Sequence, residues 1–148
     1  MAGYGTVVVG TDGSVSSLRA VERAAQLASG PGSTLIVATA YLPTGGDTRA
    51  ADVLKDEGYK VEGNAPAYSL LHDARERAKA HGATNIEERA IIGAPVEALV
   101  ALAAEVAADL LVVGNVGLNT IAGRLLGSVP ADVARRSKTD VLIVHTTG

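Results

Sequence analysis

Leu110-Leu111-Val112-Val113-Gly114-Asn115-Val116-Gly117-Leu118-Asn119-Thr120-Ile121-Ala122-Gly123-Arg124-Leu125-Leu126-Gly127-Ser128-Val129-Pro130 is the stretch that decides how this chain is read. Its first five residues form a short aliphatic run ending on glycine, as a buried strand of a parallel sheet does. Its last three open a helix, with Ser128 placed as N-cap and Pro130 in the first turn, where a missing N–H costs nothing. Between strand end and helix start lie Gly114-Asn115-Val116-Gly117, nine further residues, and Gly127-Ser128. Glycines at those places let the backbone approach a phosphate closely, and the N–H groups and dipole of the following helix favour negative charge. Ser128 can cap the helix and also donate its hydroxyl to a phosphate. The same pattern also suits a flexible turn ahead of a helix cap, because glycines serve tight turns without any ligand.

Outward from this stretch, three more aliphatic runs read as buried strands, Thr6 to Gly10, Thr34 to Thr39 and Val141 to His145, with a weaker one at Ile86 to Ile92. Helical spacing fills the intervals. Leu18, Val21, Ala25 and Ala28 mark the first helix, Ala67, Leu71, Ala74 and Ala78 the second, and Val96, Leu99, Ala103 and Val106 the third. Ser128 to Ser137 reads as the last. Strict alternation of strand and helix predicts a mainly parallel α/β sheet with right-handed crossovers and helices on both faces. A ligand in such a fold sits beyond the carboxyl ends of the strands, where the connections diverge.

At 148 residues the chain fits one domain, and no internal repeat is evident. The apolar fraction of 47% comes from Ala, Val, Leu and Ile, with no Phe or Trp and four Tyr, a poor supply for base-stacking platforms. Thirteen basic and sixteen acidic residues give a net charge of −3, which does not suit a nucleic-acid backbone. With no Cys, disulfides and thiolate chemistry are excluded. No apolar run approaches the roughly 20 residues of a membrane span, and the first ten residues lack a signal peptide's basic flank, so a cytoplasmic location is expected. One segment, Leu42 to Pro66, reads as a polar insertion between second strand and second helix, with a short helix near Arg49 to Glu57. Long connections serve as lids or as solvated excursions, and both readings stay open.

Gly-x2-Gly-x9-Gly-Ser is the nucleotide-loop pattern of the universal stress protein family, which this chain therefore resembles. Val8-Val9-Gly10-Thr11-Asp12-Gly13-Ser14 is similar to that family's first strand and turn, and Gly127 to Ser137 followed by Asp140 to Val144 to its last helix and strand. The likeness spans essentially the whole chain and is nearest to actinobacterial members. It implies a five-stranded parallel sheet of order 3-2-1-4-5, of the adenine nucleotide alpha hydrolase-like kind, pairing into homodimers through Val141, Leu142, Ile143 and Val144. It further implies that Asp12 contacts the nucleoside, that the Ala40 backbone meets the adenine, and that Gly114, Gly117, Gly127 and Ser128 hold ribose and phosphate. Gly10, Thr11, Val116, Arg124 and Val129, in the same loops, are expected as ligand-binding residues beside them. A carboxylate suits a ribose hydroxyl because it accepts strongly from O–H donors, while Asp12 could equally help Ser14 cap the first helix.

Other nucleotide motifs are missing: Gly10-Thr11-Asp12-Gly13-Ser14 is not Gly-x-Gly-x-x-Gly, and no Gly-x4-Gly-Lys-Ser/Thr occurs. The three histidines, His72, His81 and His145, fall outside the expected crevice, acids such as Glu87 and Glu88 flanking a strand read as a solvated face, and no metal-ligand spacing is visible. Three roles are compatible with these residues: a nucleotide-binding sensor or reservoir, a slow ATPase lidded by the Leu42 to Pro66 insertion, and a dimeric scaffold without ligand. The intact glycine loop weighs against the third, and the lack of a poised base or Walker lysine against the second. A triphosphate brings about three to four negative charges, usually met by Lys, Arg or a metal ion, whereas Gly114 to Gly127 offers only Arg124. Val116 and Leu118 occupy positions more often polar in ATP-binding relatives. Cyclic AMP, with one negative charge and an association with the mycobacterial branch, is therefore the expected ligand ahead of ATP, and Mg is expected only with ATP.

Overall fold

The computed structural model describes residues 4–41, 57–114 and 133–145, and for 57–66 and 95 the backbone alone. The described residues include, in chain order, β1 (Thr6–Gly10), α1 (Val15–Leu27), β2 (Thr34–Tyr41), α2 (Glu57–Ala80), β3 (Ile86–Ile92), α3 (Pro95–Glu105), β4 (Leu110–Gly114) and β5 (Asp140–Val144). The strands form one parallel sheet of order β3-β2-β1-β4-β5.

β1 lies at the centre because Val7, Val8 and Val9 are apolar on both faces and β-branched, so each face needs a cover; all three are fully buried. Val7, Val9, Leu35, Val37, Leu110 and Val112 pack against α1 and α2 through Ala20, Val21, Ala24, Leu71, Ala74 and Ala78. On the opposite face Val8, Ile36, Ala38, Leu111 and Val113 pack against Leu99, Leu102 and Ala103 of α3, and against Val133. Each Val or Leu side chain so buried contributes about 1.5–3 kcal/mol. Residues 133–136 are helical, with the Ser137 N–H donating to the Val133 carbonyl at 2.9 Å; the start of the expected Ser128 to Ser137 helix lies outside the described residues.

Several boundaries differ from the sequence expectation. β2 runs on to Tyr41 because β3 continues beside it, with Ala40 opposite Ile91 and Tyr41 opposite Ile92. β5 is Asp140–Val144, not Val141 to His145, because its register follows Leu110–Gly114 residue for residue. The Leu42 to Pro66 insertion is shorter than read: α2 begins at Glu57, so its last ten residues are helix. Gly58, Gly63 and Pro66 discourage a helix locally, but Ala67, Leu71, Ala74 and Ala78 anchor α2 in the core, and a nucleated helix propagates at low cost. The short helix expected near Arg49 to Glu57 otherwise lies outside the described residues. β3 has its expected bounds, and Glu87 and Glu88 therefore lie within it, not beside it; Glu88 pairs with Arg75 at 3.6 Å, and charges on this edge strand oppose sheet-to-sheet association. Among the described residues no helix is long and apolar enough to cross a membrane.

Candidate functional site

β1 leads into α1 on one face of the sheet, whereas the chain that follows β4 reaches Val133 on the other face. β1 and β4 are neighbours. The connections therefore diverge between them, and in a fold of this kind the carboxyl ends at such a point are where a ligand is accommodated. Three neighbouring strands deliver the expected residues there: β1 ends at Gly10 before Thr11 and Asp12, β2 carries Ala40, and β4 ends on Gly114. Neighbouring strands lie about 5 Å apart, so the three strand ends are within the span of one nucleoside.

The turn after β1 is built by its own short polar side chains. Ser14 caps α1, its Oγ accepting the Ser17 N–H at 3.1 Å. Asp12 does not cap the helix directly: its Oδ1 accepts the N–H of Ser14 at 2.9 Å, an Asx turn that positions the cap. Its other oxygen, Oδ2, is buried and has no hydrogen-bond partner among the described residues. A buried carboxylate oxygen left without a donor costs about 1–3 kcal/mol or more, so this atom favours an incoming O–H or N–H. Thr11 and Ser17 are buried beneath the turn, their hydroxyls 2.7 Å apart.

Backbone alternation fixes what Ala40 offers. Thr34 donates to the Gly5 carbonyl at 2.8 Å and the Ala38 carbonyl accepts from Thr11 at 2.9 Å, so even-numbered residues of β2 face β1. Leu35 donates to Asn85 at 2.8 Å and the Tyr41 carbonyl accepts from Gly93 at 2.9 Å, so odd-numbered residues face β3. The N–H and C=O of Ala40 are thereby directed to the β1 side, beyond the last residue of β1. One donor and one acceptor side by side match the adenine edge, which presents an amine donor and a ring-nitrogen acceptor.

Gly10, Thr11, Asp12, Ala40 and Gly114 are thus gathered at one end of the sheet. Val116, Gly117, Arg124, Gly127, Ser128 and Val129 lie outside the described residues. His72 is exposed on α2, and His145 is exposed beyond β5. His81 donates from Nδ1 to the Arg77 carbonyl at 3.0 Å and sits 3.8 Å from Glu22, whose carboxylate also binds Arg77 at 2.7 Å, a clasp between α1 and α2. Apolar spacing alone does not mark Ser17. It occupies the apolar stripe of α1 with Ala20, Val21, Ala24 and Ala25, and a small polar residue on a buried stripe is the signal that could have found it.

The universal stress protein family model matches residues 3–145. A universal stress protein of Mycobacterium tuberculosis strain H37Rv is 71% identical over 147 residues, covering 99% of this chain and 100% of the relative. A crystal structure of a universal stress protein in complex with cAMP superposes with a TM-score of 0.75 at 62% identity, covering 99% of this chain and 100% of that one. The universal stress protein from Archaeoglobus fulgidus in complex with dAMP superposes with a TM-score of 0.64 at 26% identity, covering 93% and 94%.

Proposed function

Since the chain belongs to the universal stress protein family, we propose that it binds an adenine nucleotide at the carboxyl ends of β1, β2 and β4. The ligand is cyclic AMP in preference to ATP, and the protein acts as a sensor or reservoir without turnover. The observation that carries this reading is the buried, unpartnered Oδ2 of Asp12. It lies at the end of the strand next to Ala40, whose N–H and C=O are turned toward that strand's end. A nucleoside supplies what these groups require: a ribose hydroxyl for the carboxylate, and an adenine edge for the backbone pair. Similarity to a universal stress protein crystallised with cAMP supports the choice of ligand class.

Charge selects between the two ligands. ATP carries about three to four negative charges and calls for Mg and basic side chains, of which the Gly114 to Gly127 stretch has only Arg124. Cyclic AMP carries one charge, which backbone N–H groups at the last helix and Ser128 can meet. In this reading Gly117 and Gly127 allow the close approach, with Val116 and Val129 beside them. The aliphatic edge strand β5 further suggests a homodimer, because antiparallel pairing about a two-fold axis covers the edge on both copies.

Calorimetric titration of nucleotide-free protein with cyclic AMP, cyclic GMP, and ATP plus Mg tests the assignment. Cyclic AMP is expected to bind most tightly. Tighter binding of ATP, accompanied by phosphate release, overturns the reading in favour of a slow ATPase.

A further inference from the structure

Beneath the turn that carries Asp12 lies a directed chain of hydrogen bonds. Ser17 Oγ has a single hydrogen, and it donates to the Ser14 carbonyl at 3.0 Å. The two hydroxyls are 2.7 Å apart and either can donate; with the Ser17 hydrogen on the Ser14 carbonyl, Thr11 Oγ1 is the donor and Ser17 Oγ the acceptor. Thr11 Oγ1 in turn accepts the Gly13 N–H at 3.1 Å, and Ser17 Oγ accepts the Asp12 N–H at 3.3 Å. The backbone N–H groups of Asp12 and Gly13 are thus each held by one of two hydroxyls on residues that are 1% exposed. These two residues define the turn that presents the Asp12 carboxylate.

We propose that Ser17, acting with Thr11, is a positioning residue for nucleotide binding: the buried hydroxyl pair fixes the turn so that Oδ1 of Asp12 is spent on Ser14 and Oδ2 is held ready for the ligand. The inference rests on the reading of Asp12 as a nucleoside ligand. Its physical basis is preorganisation, since a carboxylate already held in place loses less freedom when the ligand arrives. Neither Ser17 nor Thr11 needs to touch the ligand for this effect. Helix α1 supplies the rigidity, because Ser17 is followed on the same buried stripe by Ala20, Val21 and Ala24, all fully buried.

The test is a set of cyclic AMP titrations on Ser17→Ala, Thr11→Val, Thr11→Ser and Asp12→Ala, and on the two doubles that join Asp12→Ala to Ser17→Ala or Thr11→Val. Ser17→Ala and Thr11→Val should each weaken binding about tenfold. Thr11→Ser keeps the hydroxyl and should remain within about twofold of the parent. In the Asp12→Ala background neither Ser17→Ala nor Thr11→Val should weaken binding further, because a residue that acts through Asp12 has nothing left to position. Parental affinity in Ser17→Ala or Thr11→Val, or an undiminished loss in the Asp12→Ala background, overturns the inference. Should Ser17→Ala fail to fold, the near-isosteric Thr11→Val decides by the same criteria. If Asp12→Ala alone leaves cyclic AMP binding unchanged, the reading of Asp12 as a ligand falls first and the inference with it, an outcome distinct from one in which only the hydroxyl variants bind normally.

Discussion

Gly13 has φ +84°, and so does Gly32, at the other end of the sheet in the turn between α1 and β2. The pair separates backbone strain from site geometry. An Ala placed at such a φ costs about 1–2 kcal/mol through contact of its Cβ with the backbone. Loss of glycine's freedom in the unfolded chain returns about 0.4–1 kcal/mol. A Cβ at Gly13 would lie 3.4 Å from Leu70 Cβ and 3.6 Å from its Cδ2, close but ordinary contact, while at Gly32 nothing lies within 4 Å. Crowding therefore adds little at either site, and Gly13→Ala and Gly32→Ala should each lose about 1 kcal/mol, a fall in Tm of about 4 °C for a chain of this size. Their ligand behaviour should part. Gly32→Ala should titrate cyclic AMP like the parent, whereas Gly13→Ala, which disturbs the turn holding Asp12, should bind about five- to tenfold more weakly. Scanning calorimetry of ligand-free variants and isothermal titration read the two effects. A Gly13→Ala protein as stable as the parent refutes the strain estimate, and equal affinities in the two variants refute the link between this turn and the ligand.

Leu71 is fully buried in the layer between α2 and the sheet, and it belongs to the anchor from which α2 extends to Glu57. Leu71→Ala should cost about 2–5 kcal/mol, read as a lower midpoint in urea unfolding with little change in slope; a loss below about 1 kcal/mol would show that α2 is not anchored there. Ile143 is 40% exposed on the edge strand β5. Ile143→Lys should convert the proposed homodimer to monomer in sedimentation at micromolar concentration, since an edge lysine opposes strand pairing, and an unchanged dimer would move the interface elsewhere.

Gly114 was legible as the end of β4 because an aliphatic run closing on glycine is a local signal, while the rest of the stretch to Ser128 lies outside the described residues. The same locality explains why β1, β3 and β4 match their expected bounds, since an aliphatic run closed by a turn needs no distant partner to be recognised. The buried faces of the helices were also carried by spacing: Ala67, Leu71, Ala74 and Ala78 are all in the core. On α1 the expected Val21, Ala25 and Ala28 are fully buried and Leu18 packs at the edge of the core, while Ser17, a polar residue that an apolar pattern passes over, is buried with them.

Sequence by itself thus determined the alternation of strand and helix, the parallel sheet it implies, and the strand ends at which Gly10, Thr11, Asp12, Ala40 and Gly114 gather. Tertiary structure decided the rest. β2 reaches Tyr41 only because β3 runs beside it, and α2 reaches Glu57 through Gly63 and Pro66 only because its later turns are locked into the core. The direction of the Ala40 backbone toward the β1 side follows from which strand neighbours which, and the buried, unpartnered oxygen of Asp12 from how one short turn satisfies its other groups. Periodicity reports the preferences of each segment taken alone. Strand extension, hydrogen-bond direction and the burial of a single atom depend on groups that only folding brings together.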